Sequence, residues 1–155
     1  LLSRRPRSSW ALKLREVTMQ VLALDIGEKR IGVASGNTAS GIANPVKVMP
    51  ADEVMANART WRILLEDYEP ELLVCGCPKS MSGAKGQQAQ RVMAAAERIA
   101  AAAGLPVEFV DERLSSSEAK RYLRDQGMSE RDMRGKVDSV AASIFLSTWL
   151  EQHRD

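Results

Sequence analysis

The sequence has few of the residues that form cross-links or bind transition metals: two cysteines and one histidine among 155 residues. Cys75 and Cys77 lie only two positions apart, in an apolar run that predicts an extended strand. We therefore expect no disulfide between them. With His153 as the sole histidine, a zinc site has too few soft ligands.

Long apolar runs are also absent. No stretch approaches the 18 or more residues that a membrane-spanning helix needs. The first residues are basic but contain no apolar segment of signal-peptide length, so we expect neither membrane insertion nor secretion. An apolar fraction of 45% and a charged fraction of 27% are ordinary for one globular domain of this length.

The net charge of +2 is unevenly distributed, because residues 1–18 carry +4 and leave −2 for residues 19–155. The overall charge therefore gives no argument for nucleic-acid binding, and any phosphate-binding surface must be local. Met19 directly precedes an apolar run, so we expect residues 1–18 to be a basic extension outside a domain of residues 19–155. Alternatively, the extension is an arm that adds affinity for nucleic acid.

Apolar patterning predicts five strands and four helices. The predicted strands are residues 20–26, 30–35, 42–48, 72–76 and 107–110, and the predicted helices are residues 52–68, 85–103, 115–126 and 135–151. The order β-β-β-α-β-α-β-α-α predicts an α/β fold: a mixed sheet of about five strands, beginning with an antiparallel meander, with helices on both faces. Catalytic groups of such sheets gather at the carboxyl ends of the parallel strands.

Acidic residues stand at two of these strand ends and in the last helix. Asp25 ends the first strand, and Asp111 and Glu112 directly follow the strand over residues 107–110. Asp138 borders the apolar stripe of the last helix. A carboxylate among buried residues loses solvation unless a partner compensates its charge, and hard oxygen ligands suit Mg²⁺. These acids therefore predict a cage for divalent cations, which would activate water and stabilise the leaving oxygen in an in-line displacement.

Each acid also has a purely structural interpretation. Asp25 can cap the turn after its strand, where Gly27 and Gly32 let the backbone turn tightly or let a phosphate approach. The acid pair can favour the dipole of the helix that begins at Ser115, and Asp138 can be a solvated helix residue. The single histidine agrees with metal-based cleavage, which needs no histidine or serine nucleophile.

Two further segments have features of phosphate binding. The loop over residues 76–88 combines glycines, a helix N-terminus, Lys79 and Lys85, which is typical of an anion site, although it lacks Walker A spacing. It can equally be an ordinary strand–helix loop. The stretch before Asp138 is locally basic and either contacts a phosphate backbone or is a solvated face. Its basic residues are Lys120, Arg121, Arg124, Arg131, Arg134 and Lys136.

Four segments, in order over residues 20–150, resemble the YqgF/RuvX family. They read Asp-Ile-Gly-Glu-Lys-Arg-Ile-Gly-Val-Ala at 25–34, Gly-Cys-Pro-Lys-Ser-Met-Ser-Gly at 76–83, Asp-Glu-Arg-Leu-Ser-Ser at 111–116 and Lys-Val-Asp-Ser-Val-Ala-Ala at 136–142. The resemblance implies an RNase H-like fold related to the Holliday junction resolvase RuvC, and a nuclease that matures the 5′ end of pre-16S rRNA. Cys77 replaces the family's usual leucine, which is a conservative change.

By position, the resemblance implies catalytic roles for Asp25, Asp111, Glu112 and Asp138, with Asp25, Glu112 and Asp138 holding Mg²⁺ or Mn²⁺. The substrate-binding candidates are Lys29, Arg30, Lys79, Ser80, Lys85, Arg113 and Lys136. The resemblance also implies a cytoplasmic protein, a monomer or homodimer, that acts on pre-rRNA or branched DNA, with a pre-ribosomal particle as a further partner and no membrane.

Three other functions compete with this interpretation. Sugar-kinase and actin-like ATPases also begin with a strand, Asp-x-Gly and a meander, but they need a second such domain, for which 155 residues leave no room. A Holliday junction resolvase would use the same metal chemistry, with a two-fold dimer for two symmetric cuts, and the sequence does not choose between RNA and DNA. A binding module without catalysis is disfavoured because all the acidic positions are retained.

Overall fold

The computed structural model describes residues 18–77, 83–112, 115–133 and 135–153. In chain order the elements are β1 (Gln20–Ile26), β2 (Arg30–Asn37), β3 (Ala43–Pro50), α1 (Ala51–Met55), α2 (Arg59–Tyr68), β4 (Leu72–Cys77), α3 (Gly83–Ala103), β5 (Val107–Asp111), α4 (Ser115–Asp125), α5 (Glu130–Met133) and α6 (Val137–His153). All five predicted strands are present, with ends that differ from the predicted ones by up to two residues.

The strands form one mixed sheet in the order β3-β2-β1-β4-β5. The three strands β1, β2 and β3 are the predicted antiparallel meander, whereas β4 and β5 run parallel to β1. Because the three parallel strands end at the same edge, their last residues and the residues that follow them lie near one another. This carboxyl edge carries Asp25, Cys77 and Asp111, and it positions the candidate site.

Helices cover both faces of the sheet, as predicted, and each face has its own core. Alternation along β1 sends Leu22 and Leu24 to the face covered by α1, α2 and α3, and Val21 and Ala23 to the face covered by α6. The large buried helix residues are Trp61, Leu64 and Ile99 on the first face, and Phe145, Leu146 and Trp149 on the second. The central strand β1 is therefore buried on both sides until it reaches Asp25.

The single helix predicted over residues 52–68 is wrong, because the chain forms two helices, α1 and α2, there. Asn57 between them has a left-handed backbone with φ of 54°, a conformation that asparagine tolerates better than most residues. The Thr60 hydroxyl donates a hydrogen bond to Glu53 across the break, with an O–O distance of 2.6 Å. In a single helix over residues 52–68, the apolar periodicity would place Tyr68 on the inward stripe with Trp61, but Tyr68 is 40% exposed.

The short helix α5 was not predicted, and α6 begins at Val137 rather than at residue 135. The backbone amide of Asp132 donates to the Ser129 hydroxyl oxygen over 3.2 Å, an N-terminal cap that the sequence Ser-Glu-Arg-Asp does signal. Met133 is buried and anchors this helix against the small core between α4 and α6.

Both cysteines are free and buried in β4, where residues two positions apart share one face of the strand. Among the described residues, no helix has the length and apolar character needed to span a membrane.

Candidate active site

Asp25 is the residue at which the buried strand β1 becomes polar. The four residues before it are fully buried, and it is half-buried and pairs with Gly32 of β2. After Ile26 the chain turns tightly, and the Gly27 amide donates to the Arg30 carbonyl oxygen over 2.9 Å. Burial, together with the charges of Glu112 and Asp138, raises the pKa of Asp25 from 3.8 to about 8. The folded protein therefore resists ionisation of this carboxyl.

Glu112 directly follows β5, and its side chain contacts that of Asp25 at the carboxyl edge of the sheet. Its amide donates to the Cys77 carbonyl oxygen over 3.2 Å, which extends the β4–β5 pairing by one residue. Its side chain accepts a hydrogen bond from the protonated Asp25 carboxyl. Burial raises the pKa of Glu112 as well, the bond from Asp25 opposes that shift, and the nearby charge of Asp111 adds to it.

Gly76 of β4 makes room for the Glu112 side chain. A Cβ atom at this position would lie 2.8 Å from Glu112 Oε2 and 2.6 Å from Phe145 Cε2, closer than side-chain atoms approach. Because β4 lies between β1 and β5, any larger residue here would separate the two carboxyls. The glycine is therefore a requirement of the site rather than of a turn.

Asp138 reaches the same edge from the first turn of α6. A Cβ atom on Gly32 would overlap the backbone carbonyl group of Asp138. The backbone at the start of α6 therefore contacts the backbone of β2 directly, with no side chain between them. Gly32 is the cross-strand partner of Asp25, so this packing sets Asp138 beside Asp25. Gly32 thus permits the close approach of a helix, whereas the sequence suggested a tight turn or room for a phosphate.

Asp138 also forms an ion pair at the site. Its Oδ2 accepts a hydrogen bond from Arg30 Nε over 3.3 Å, and the Arg30 side chain is 60% exposed. No ion pair within the described part of the chain joins Asp25 or Glu112 to a cationic side chain. Two of the three carboxyls therefore have no cationic partner among the described side chains, and they are hydrogen-bonded to each other instead.

The donor set suits a divalent cation, although the carboxyls are not arranged around one. Residues 18–77, 83–112, 115–133 and 135–153 contain no group of three His, Cys, Asp or Glu side chains already placed to hold a metal ion. Instead, the Asp25 carboxyl is hydrogen-bonded to Glu112, and the Asp138 carboxyl is paired with Arg30. A cation that displaces the shared proton would meet hard carboxylate oxygens, which Mg²⁺ and Mn²⁺ prefer.

Asp111 does not join the other three acids. It is exposed and ends β5 opposite Cys77, and alternation with Val107 and Phe109 places it on the sheet face of α1, α2 and α3. Its charge still raises the pKa values of Glu112 and Cys77, after the larger effect of burial on each. Between the two candidate acids, Glu112 is the one that contacts Asp25.

The predicted substrate-binding residues lie in different parts of the chain. Lys29 and Arg30 are exposed in the turn beside Asp25, and Lys136 is exposed just before α6. Lys79, Ser80 and Arg113 lie outside the described residues, as does the side chain of Lys85 in α3. The described members of the basic stretch, all exposed, are Lys120, Arg121, Arg124, Arg131 and Lys136.

The chain is similar in sequence to one family of known proteins. A model of the RuvX family, described as Holliday junction resolvase, matches residues 19–152. The chain belongs to the RuvX family. A relative from Anaeromyxobacter sp. named "Putative pre-16S rRNA nuclease" is 40% identical over 86% of this chain and 97% of that protein. A relative of the same name from Crocosphaera subtropica is 39% identical over 88% and 95%. Membership in RuvX makes the chain a nuclease, a hydrolase of phosphodiester bonds.

Solved structures confirm the RNase H-like fold. RuvC of T. thermophilus in complex with a Holliday junction substrate has a TM-score of 0.51 at 14% identity, covering 87% of this chain and 95% of that chain. The Fowlpox virus resolvase in complex with Holliday junction DNA has a TM-score of 0.50 at 15% identity, covering 86% and 98%. At such identities the similarity extends to the fold and to nothing beyond it.

Proposed function

We propose that this RuvX member is a Mg²⁺- or Mn²⁺-dependent nuclease that matures the 5′ end of pre-16S rRNA in the cytoplasm, within a pre-ribosomal particle. The observation that carries the metal dependence is the pair of Asp25 and Glu112, whose negative charge no described cationic side chain compensates. The names of the curated relatives support the choice of rRNA.

In this proposal Asp25, Glu112 and Asp138 hold the cations, and Asp111 stays outside the cage. When bound, divalent cations activate the attacking water and neutralise charge on the leaving oxygen. The protein's own contribution is orientation. The β4–β5 pairing fixes the Glu112 backbone and the contact with Gly32 fixes Asp138, so both carboxyls are held by rigid elements.

Lys29 and Arg30 hold the substrate beside the carboxyls. Arg30 donates to one oxygen of Asp138 through Nε and is largely exposed, which leaves its terminal nitrogens for a phosphate oxygen. Lys29 is exposed next to it. Lys136 and the basic side chains of α4 and α5 extend this positive surface along the path of a phosphate backbone.

Cleavage of branched DNA is the second candidate, favoured by the description of the family model as Holliday junction resolvase. The same carboxyls would serve this reaction. Two symmetric cuts in a four-way junction would require two copies of the site related by a two-fold axis. The oligomeric state of the chain on each substrate is therefore informative.

The test compares three substrates with the purified protein in Mg²⁺ and in Mn²⁺: a pre-16S rRNA leader, an unrelated single-stranded RNA and a four-way DNA junction. We expect cleavage of the leader that chelation abolishes, and unchanged cleavage by Asp67→Asn, which removes an exposed acid far from the site in sequence. Paired cuts in the junction by a dimer, with the leader intact, would establish the second candidate. No cleavage of any substrate would refute both.

A further inference from the structure

A cavity of about 240 Å³ opens at the same sheet edge as the carboxyls, between the β1–β2 turn, α1 and α3. Its floor is apolar and buried, formed by Ile31, Ala51 and Val92. Its rim is polar and exposed, and includes Glu28 and Arg91. A liquid water molecule takes up about 30 Å³, so the cavity has room for a small ring system.

A backbone hydrogen bond holds two of the elements that line this cavity together. The Lys29 carbonyl oxygen accepts a hydrogen bond from the Ala51 amide over 2.9 Å, which ties the β1–β2 turn to the start of α1. Opposite, α3 presents residues at positions 88, 91, 92 and 95, the spacing of one helix face. The turn and α1 therefore form one connected side of the cavity, and α3 forms the other side.

The cavity and the carboxyls lie on opposite sides of the same short stretch of chain. Asp25 points to the α6 face, whereas Ile26, one residue later, points to the other face and lines the cavity. Gly27 follows, exposed and without a side chain. A nucleic-acid strand with a phosphate at the carboxyls can cross the edge at Gly27 and place a neighbouring base on the cavity side.

We propose that this cavity binds one unstacked base of the substrate strand, next to the scissile phosphate. This inference rests on the proposed nuclease function and adds a base-recognition site to it. An apolar floor suits the faces of a base and excludes a phosphate, which would lose its hydration there. At the rim, the Gln88 amide offers a donor and an acceptor, Arg91 offers donors and Glu28 offers acceptors for the base edge.

The site would select single-stranded or flexible segments over duplex. Recognition of a base on its face and edge requires that the base leaves its stack, and unpaired RNA allows this at the lowest free-energy cost. The negative charge of Glu28 disfavours a phosphate at the rim, while Arg91 and the nearby Lys29 offset that repulsion. Base identity next to the cut, rather than duplex shape, would then influence the cleavage rate.

The test uses single-stranded RNA oligonucleotides with 2-aminopurine at successive positions around the cleavage site, titrated with protein in Ca²⁺. We expect fluorescence to rise on binding at one position, because 2-aminopurine brightens when it leaves the stack. Ala95→Phe, which fills the cavity from α3, should abolish the rise and weaken binding about tenfold, close to 1.4 kcal/mol. Ala94→Phe, on the exposed side of the same helix, is the matched control and should behave as wild type.

Cleavage rates with each of the four bases beside the cut provide the second readout. Gln88→Ala changes an exposed side chain, so it tests the site even if Ala95→Phe does not fold, and we expect it to alter the base preference. Cleavage by wild type without any fluorescence rise, or an unchanged base preference in Gln88→Ala, would overturn the base site alone. A fluorescence rise without cleavage of any substrate would contradict the nuclease function alone.

Discussion

The two faces of the sheet differ most at the carboxyl edge, although the same strands form both. On the α6 face, Gly32 and Gly76 leave out side chains so that a helix backbone and a glutamate can come close to Asp25. On the other face, Ile26, Ile31 and the helices α1 and α3 meet through apolar side chains. One face brings like charges together, and the other buries apolar surface.

Because successive strand residues point to opposite faces, a residue of the site and a residue of the core can be adjacent in sequence. Asp25 and Ile26 are neighbours in sequence, yet the first has a raised pKa and the second packs against the core. Asp111 and Glu112 divide between the faces in the same way. Because clustered carboxyls destabilise a folded chain, we expect the apolar face to provide the stability that the charged face lacks.

The largest effect should come from Asp25→Asn, which keeps the shape of the side chain and removes its charge. We expect cleavage to fall at least about a hundredfold, a barrier increase of roughly 2.7 kcal/mol. Metal-free stability should hold or rise, since the burial of an ionisable group and the repulsion from Glu112 and Asp138 are relieved. Single-turnover cleavage and thermal melting of the same preparation measure both quantities, with Asp67→Asn as control. Lower stability with normal cleavage would show that Asp25 is a turn cap.

A paired comparison of Glu112→Gln and Asp111→Asn tests the division of acids between the faces. Glu112 contacts Asp25, so its loss should reduce cleavage roughly fifty- to a hundredfold, about 2.3 to 2.7 kcal/mol in the barrier. Asp111 raises the pKa of Glu112 through its charge but lies on the other face of the sheet, so its loss should reduce cleavage less than about fivefold. Direct titration of Mn²⁺ binding should rank the two variants in the same order. The reverse order would assign the metal to Asp111.

A smaller effect is expected from Gly32→Ala, which tests the backbone contact between β2 and α6. The added methyl would overlap the Asp138 carbonyl group, so α6 must shift. We expect a loss of about 1–3 kcal/mol in the free energy of unfolding, typical of overpacking, and weaker Mn²⁺ binding. Gly135→Ala is the matched control, because its added methyl meets nothing closer than 3.9 Å, and denaturant melts should show less than about 0.5 kcal/mol of change.

Much of the fold could be predicted because strong apolar patterns determine it. The runs at residues 21–24 and 72–77 are buried on both faces, and their composition indicates central strands. The break at Asn57 was missed, because a left-handed residue interrupts an apolar stripe that is otherwise continuous. Helix α5 was missed because four residues give too short a pattern, although Ser129 does mark its start.

The acids of the site could be predicted as a group but not in their arrangement. The sequence predicts a strand end at residue 110, which leaves both Asp111 and Glu112 outside the strand. The observed strand continues to Asp111, so strand alternation applies to Asp111 and turns its side chain away from Asp25. The role of Gly76 depends on a contact with Glu112, 36 positions later in the chain. The proton shared by Asp25 and Glu112 and the pairing of Arg30 with Asp138 arise from tertiary packing, which periodicity does not encode.

The last predicted effect is a pH dependence of stability in the metal-free protein. In the unfolded chain Asp25 loses its proton near 3.8, whereas in the folded chain it keeps the proton up to about 8. Between these values the folded state binds more protons, so its stability falls as the pH rises. The contribution is complete below the unfolded value and is lost as the pH passes through about 8. The raised pKa of Glu112 acts in the same direction.

We therefore expect the melting temperature in chelator to fall across this range, by roughly 2–4 °C for each 1 kcal/mol of stability lost in a domain of this size. Mg²⁺ should raise the melting temperature more at the alkaline end, where the carboxyls have lost the proton that competes with it. Asp25→Asn should flatten the pH profile, and Asp67→Asn should keep the wild-type slope. If Asp25→Asn keeps that slope as well, the charged face is not the source of the pH dependence, and the contrast between the two faces would not extend to stability.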